Sequence, residues 1–467
     1  MPDLLGLLIK KKGRVFFGIC CLFLLVGGIY CHMRQIDVDK ILKNSVFKDK
    51  QFSSHVQEID AGDFSAYLLE EHSNPIVSIS FLFKNSGRAY EPEGKQGLVT
   101  ILTDVLKKGA GAYDAESFID LCSEYGVNLD LSSGLDEISV DFQFPKSNQE
   151  MALNLLKAVL TAPHFEQRYL DLSKEQHTIA INLKKERIRS FTSDKFREHF
   201  FSHHAYERPS IGVADEMTSV SADDLRRFMK EKFAKDNLLI AIAGDVTQDE
   251  VFHILTSVFS ELPDHAILKQ LPQINIESTG KVFCEEFHAA QNYVMFASQS
   301  VYRQSEDFYP LYLANYVFGA SGLESRLNKN IREKEGLTYG LYTTMNINNA
   351  AALLEGAFSV TPDNLKRSME LLKQQWLEIS KGEISADELE KAKNSLVLSN
   401  NLRYASVSRI SNMLLRMQEY DLGIDFLEKR NSYINNTTLQ QVNDAARKYF
   451  RLLPDFVISG EQCEEKK

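Results

Sequence analysis

Residues 136–160 and 351–376 carry one pattern twice. The first reads DEISVDFQFPKSNQEMALNLLKAVL and the second AALLEGAFSVTPDNLKRSMELLKQQW. Each is a strand-like run, a short polar turn, and a segment with Leu or Met at three- and four-residue spacing, which gathers them on one face of a helix. The offset is about 216 residues. That is far longer than a solenoid unit, so the pattern points to duplication of one α+β unit. A chain of 467 residues is also too long for a single core.

The flanking elements recur in the same order. VQEIDAGDFSAYLLEE, from Val56, predicts a hairpin turning at Ala61-Gly62-Asp63. A strand through Ile76, Val77, Ile79, Phe81 and Phe83 stops at Asn85-Ser86-Gly87. Helices are predicted around Leu98–Leu106, over Ala115–Tyr125 and Gln149–Leu160, and from Gln167 to about Ile188. In the second half, the strand AAQNYVMFASQSV precedes a helix over Phe308–Phe318 and the strand-rich TYGLYTTMNINNAAALLEGAFSV. Helices over Asp363–Ser380 and from Ser385 to about Asn400 follow. The expected fold is α+β, with two homologous α/β-sandwich-like domains, each a mixed sheet covered by helices. They are expected at 56–265 and 270–460, joined near LPDHAILKQLPQ, where two prolines bracket a polar stretch.

Ahead of them, Lys10, Lys11, Lys12 and Arg14 precede the uncharged run VFFGICCLFLLVGGIYC, residues 15–31. Seventeen helical residues span about 25 Å, enough to cross a slightly thinned bilayer core. Basic residues before the run predict a cytoplasmic segment 1–14, a signal anchor 15–31 and a linker 32–55, with the remainder outside the cytoplasm. A cleaved signal peptide fits less well, because Gly28-Ile29-Tyr30-Cys31 is a poor cleavage site. The net charge of -11 argues against nucleic acid as a partner. Outside the run, Cys122, Cys284 and Cys463 are far apart and odd in number, which predicts unbonded cysteines: two buried as small hydrophobes and one in the tail.

Three groups of residues could carry chemistry. On the helix starting at Leu98, the apolar face leaves Thr100, Thr103 and Asp104 in a row on the other side, which alone reads most simply as a solvated face. REHFFSHHAYERP places His199 and His203 one helical turn apart, beside His204, with Glu198 or Glu207 as a third ligand that faces the wrong way if the helix continues. VFGASGLESRLNKNIREKEGLTYGLY, residues 317–342, offers a flexible Gly319/Gly322 loop. It continues as a helix from about Ser321 carrying Arg326 and Arg332, then a strand from Leu337 carrying Tyr339. Arg332 and Tyr339 are both hydrogen-bond donors. The structural alternative pairs Arg332 with Glu333 or Glu335 and makes Tyr339 a core aromatic. There is no phosphate loop, no GxSxG, and no HxxEH or HExxH.

Taken together, the first and third groups resemble the pitrilysin/insulinase-type inverted zincin metallopeptidases, in particular bacterial forms related to the mitochondrial processing peptidase. The resemblance covers roughly residues 55–460. Where that family reads GLAHFLEH this chain reads GLVTILTD. Thr100 and Asp104 therefore stand at the two histidine positions and Thr103 at the catalytic glutamate. The distal glutamate falls near Ile181 and Asn182, and the nearest acids, Glu175 and Glu186, are out of register. A catalytic zinc needs three protein ligands, so the resemblance implies a chain that binds no zinc. SRLNKNIREKEGLTYGLY, in contrast, is similar to the family's segment in which an arginine and a tyrosine seven residues later reach the substrate. Weaker matches are AYERPSIG, from Ala205, and IAGDV, from Ile242.

The resemblance implies half of a clamshell. This chain would be the non-zinc-binding subunit of a heterodimeric zinc endopeptidase, lending Arg332 and Tyr339 as oxyanion donors and Gly319, Gly322 and Arg326 to substrate binding. Zinc would sit in a homologous partner with HxxEH, the substrates would be unfolded peptides, and the globular part would be periplasmic, held at the inner membrane. Two rivals are a structural scaffold of a membrane complex and a peptide-binding chamber.

Overall fold

The computed structural model describes residues 55–400, 404–461 and 463. The expected cytoplasmic segment, the membrane anchor and the linker up to residue 54 lie outside the described residues. No helix among the described residues is long and apolar enough to cross a membrane.

The first half runs β1 (Gln57–Asp60), β2 (Ser65–Glu70), β3 (Ile76–Lys84), α1 (Leu98–Val105), α2 (Ala115–Glu124), β4 (Asn128–Ser133) and β5 (Glu137–Pro145). It continues with α3 (Gln149–Thr161), α4 (Gln167–Lys185), α5 (Ile188–Phe200), α6 (Ala214–Thr218), α7 (Ala222–Lys232), β6 (Leu238–Gly244) and α8 (Gln248–Val258). The second half comprises β7 (Val282–Glu286), β8 (Asn292–Gln299), α9 (Phe308–Asn315), β9 (Leu341–Ile347) and β10 (Ala352–Val360). Then follow α10 (Pro362–Ile379), α11 (Ala386–Ser399), α12 (Val407–Glu419), α13 (Phe426–Asn436), α14 (Leu439–Tyr449) and β11 (Asp455–Gly460).

The two sheets share a pairing pattern. One sheet has the order β1-β2-β6-β3-β5-β4 and the other β7-β11-β8-β10-β9. In each, one pair is parallel, β2 with β6 and β7 with β11, and the other pairs are antiparallel. Alternation decides which face meets the core. In β5, Ile138, Val140, Phe142 and Phe144 are buried while their neighbours are half-exposed. These side chains and α1, α3 and α8 build the first core. The second core surrounds Trp376 of α10, whose Nε1 donates to the Leu452 carbonyl at 2.9 Å.

The opposite sheet faces are covered by exchange between the halves. β3 turns Ser78, Ser80 and Leu82 outward, and β6 turns Ala241 and Ala243 outward. Against them lies α12, which belongs in sequence to the second half, with Ile410, Leu414 and Leu415 buried on the seam. Small side chains let the helix approach closely: the Ser411 hydroxyl lies 2.9 Å from that of Ser78 and 2.8 Å from that of Ser80. Reciprocally, α5 of the first half packs on β8 and β11, with Phe196 against Ala297 and Val457. The helix expected from Gln167 to about Ile188 is α4, which ends at Lys185. Arg187, with an extended backbone (φ -103°, ψ 114°), then redirects the chain so that α5 packs on the other sheet.

The hairpin turns β4–β5 and β9–β10 meet at a buried carboxylate. Asp136 is 5% exposed and accepts from the Tyr206 hydroxyl at 2.6 and 2.7 Å and from the Asn349 backbone N–H at 2.8 Å. Tyr206 in turn accepts from the Ala350 N–H at 3.0 Å. Burial raises the Asp136 carboxyl above its ordinary range and also raises the Tyr206 phenol.

Cys122 is free and half-buried. The expectation of unbonded Cys284 and Cys463 is overturned. They form a disulfide across 179 residues, with Cα atoms 5.7 Å apart. The cause is topological: β11 runs parallel to β7 with Ile458 opposite Cys284, so the chain leaving β11 passes beside β7.

Candidate functional site

α1 begins after Gly97 and buries Leu98, Ile101, Leu102 and Val105, as their spacing predicts, and Val99 as well. The remaining row is half-buried, and its hydroxyls are committed to main chain. The Thr100 hydroxyl donates to the Ile211 carbonyl at 2.9 Å, tying α1 to the loop after Arg208. Thr103 donates back to the Val99 and Thr100 carbonyls, each at 3.1 Å, as hydroxyls inside helices do. Asp104 faces His177 of α4, with Oδ2 3.8 Å from Nε2. One turn later on α4, Ile181 is buried in the first core at 7% exposure.

This donor set does not fit a catalytic zinc. Two of its positions are hydroxyls already bonded to carbonyls, and the distal position is an alkyl group. No group of three or more His, Cys, Asp or Glu able to hold a metal exists among the described residues. His177, whose buried Nε2 has no hydrogen-bond partner, escaped sequence reading. Its signal was its place four residues before Ile181, which puts both on one helix face.

The N-terminus of α1 is held by Glu91, 5% exposed, which accepts from the N–H groups of Gly97 at 3.0 Å and Val99 at 2.8 Å. Burial pushes its carboxyl from 4.5 up to about 7, although those N–H donors and the charges of Arg208 and Arg88 pull the other way. A folded-state value above the unfolded one gives stability that is fully present below about pH 4.5 and lost as pH rises through about 7. The shift corresponds to about 3 kcal/mol. Glu91→Gln keeps an acceptor and removes the proton, so the difference in urea unfolding free energy between pH 5 and pH 8 should shrink by most of that amount in the variant.

The histidine cluster disperses. His199 Nε2 lies 2.8 Å from Glu285 Oε1 and its ring stacks on Phe283 with centroids 4.1 Å apart. His204 Nδ1 accepts from the Tyr206 N–H at 3.0 Å. His203 leaves the helix in the left-handed region at φ 64°.

In the second half, α9 widens into a π-helical turn over Tyr316–Ala320. The predicted helix from Ser321 is replaced by a 3-10 turn over Gly322–Glu324, an extended Ser325, and a second π-helical segment over Asn328–Glu333. Leu327 and Ile331 anchor that segment in the core, and Asn328 donates to the Leu341 carbonyl at 2.7 Å. Arg332 is half-exposed on it, with no hydrogen bond or ion pair from its guanidinium among the described residues. The alternative pairing with Glu335 is not made, since Glu335 meets Arg367 at 3.4 Å. The strand begins at Leu341, not Leu337. Tyr339 therefore stands on an irregular stretch and is 86% exposed, the reverse of a core aromatic.

The other expected site residues separate from this pair. Arg326 holds Glu388 through two hydrogen bonds of 2.7 Å and also donates to the Glu383 carbonyl at 2.9 Å. That fork holds the Glu388 carboxyl down at about 2. Gly322 is exposed, with open space around its Cα. Gly319 is buried, and a Cβ there would lie 2.3 Å from Thr343 Oγ1. Gly319→Ala should therefore cost about 1–3 kcal/mol in urea unfolding by displacing Thr343.

Comparisons with known proteins agree along most of the chain. Residues 67–213 match the family described as Insulinase (Peptidase family M16), and residues 219–396 match Peptidase M16 inactive domain. A non-peptidase homolog, YmxG, from Helicobacter pylori is 23% identical over 83% of this chain and 89% of its own. An uncharacterized zinc protease, YmxG, from Bacillus subtilis is 21% identical over 81% and 92%. The crystal structure of a peptidase M16 inactive domain from Pseudomonas fluorescens superposes with a TM-score of 0.82 at 22% identity, covering 88% of this chain and 99% of that one. That of a protease from Helicobacter pylori gives 0.74 at 15% identity, with 86% and 99% covered.

Proposed function

Because this chain belongs to the insulinase peptidases, family M16, and holds threonine, threonine and aspartate at the zinc-motif positions, we propose that it is the non-zinc-binding subunit of a heterodimeric zinc metalloendopeptidase. A homologous partner with an intact HxxEH carries zinc. The two subunits enclose a chamber for unfolded peptides, and substrate adds as a strand to a sheet edge of the partner. Gly322 borders the substrate path on this side. Zinc in the partner supplies the Lewis acid and the activated water. Arg332 and Tyr339 of this chain donate hydrogen bonds to the oxyanion that forms at the peptide carbonyl.

The observation that carries this reading is the contrast between the two stretches. Every hydroxyl of the lost zinc motif is spent inside the fold. The Arg332 guanidinium makes no hydrogen bond or ion pair among the described residues, and Tyr339 is 86% exposed, so both are available to a second molecule. The Cys284–Cys463 disulfide supports an oxidising compartment outside the cytoplasm, in line with an anchor at 15–31 and a periplasmic globular part.

The test is affinity purification of the full-length chain from its native membranes, with stoichiometric partners identified by mass spectrometry. Recovery of a similar-sized HxxEH chain, and zinc-dependent cleavage by the pair but not by this chain alone, are the expected results. Chelator-sensitive cleavage by the isolated chain would refute the reading. A preparation without such a partner would leave a scaffold or a peptide-binding chamber instead.

A further inference from the structure

A cavity of about 560 Å³ opens between α9, α12 and α13, at the seam where the exchanged helix α12 leaves the first sheet. Its volume lies in the range of small-molecule sites. Five rings form its walls: Phe308, Tyr309, Tyr312, Tyr420 and Phe426. Among the described residues, four arginines line it and no carboxylate does.

The arginines are not equivalent. Arg416 is held by Glu137 and Glu419. Arg430 donates to the Leu396 carbonyl at 3.4 Å and the Asn431 side chain at 3.2 Å. Arg303 is different. Its guanidinium carbon sits 4.9 Å from the Phe308 ring centre and 4.7 Å from that of Tyr420. It makes no hydrogen bond or ion pair among the described residues, and its Nε is buried without a partner. Stacking satisfies the faces of a guanidinium but leaves its in-plane N–H donors unspent, and those match the two oxygens of a carboxylate.

We propose that this cavity binds a small flat anion, an aromatic carboxylate, with its carboxylate on the in-plane donors of Arg303 and its ring among the five aromatic walls. A charge-assisted fork supplies orientation and the rings supply apolar contact. The site is separate from Arg332 and Tyr339, and it stands whether or not the chain works as a protease subunit.

The experiment is isothermal titration of the purified full-length protein with 2-naphthoate and with 2-naphthamide, which has the same shape and no charge. The expected result is one molecule of naphthoate per chain, with naphthamide at least about tenfold weaker. Arg303→Gln should weaken naphthoate to the naphthamide level. Equal binding of the two compounds, undiminished binding to Arg303→Gln, or no binding of naphthoate at millimolar concentration would overturn the proposal. If the variant does not fold, the contrast between the two compounds on the unaltered protein decides.

Discussion

Arg332→Ala, assembled with a zinc-bearing partner, should lower kcat by about 100- to 1000-fold and leave KM nearly unchanged, the effect of removing one oxyanion donor. The oxyanion exists only once water has attacked the carbonyl. A donor aimed at it acts in the transition state and adds little to ground-state binding. The structure makes this variant interpretable. Arg332 has no hydrogen bond or ion pair within its own chain among the described residues, so its loss leaves no buried group unsatisfied. The core contacts of Leu327 and Ile331 that hold its backbone are untouched. Tyr339→Phe, at a position 86% exposed, should lower kcat in the same direction with the same unchanged assembly. Single-turnover kinetics and analytical ultracentrifugation of the reconstituted pair separate rate from association. Full activity in an intact Arg332→Ala complex would eliminate the oxyanion role and favour the scaffold.

Asp136→Ala should destabilise the folded chain by about 3–5 kcal/mol, the range for breaking a buried charged hydrogen-bond group by removing one partner. The change strands the Tyr206 hydroxyl and the Asn349 N–H, which reach the carboxylate at 2.6–2.8 Å from different parts of the chain. Asp136→Asn keeps one acceptor oxygen and should cost less. The Trp376 indole in the second core is the chain's one tryptophan and the natural reporter. Its fluorescence in urea should show an earlier midpoint for the alanine variant. Far-ultraviolet circular dichroism should then reveal whether the halves still unfold together. A midpoint within experimental error of the parent would mean that the hairpin contact does not couple them.

The local elements were legible because their periodicity is local. α1, α3 and β5 match expectation closely, since burial at three-four or two-residue spacing is written in adjacent residues. Near Arg332 the expected conformation differs from the one observed. Leu327 and Ile331 are buried in the core, and the π-helical turns and the later strand start leave Tyr339 off any strand. Nothing in apolar spacing distinguishes a π-turn from an α-turn over so few residues. Arg326 and Gly319 were assigned to substrate binding by the resemblance. Glu388, 62 residues away, claims Arg326, and Thr343 fills the space beside Gly319.

The sequence by itself determined the α+β class and the local helices and strands, because these reside in the identity and spacing of neighbouring side chains. Tertiary structure alone decided the exchange of α5 and α12, the disulfide across 179 residues, and the meeting of two hairpins at Asp136. Each of these is a contact between segments far apart in the chain. Such partners are selected by how sheet faces and strand ends come together in space, and the spacing of adjacent residues carries no record of that choice.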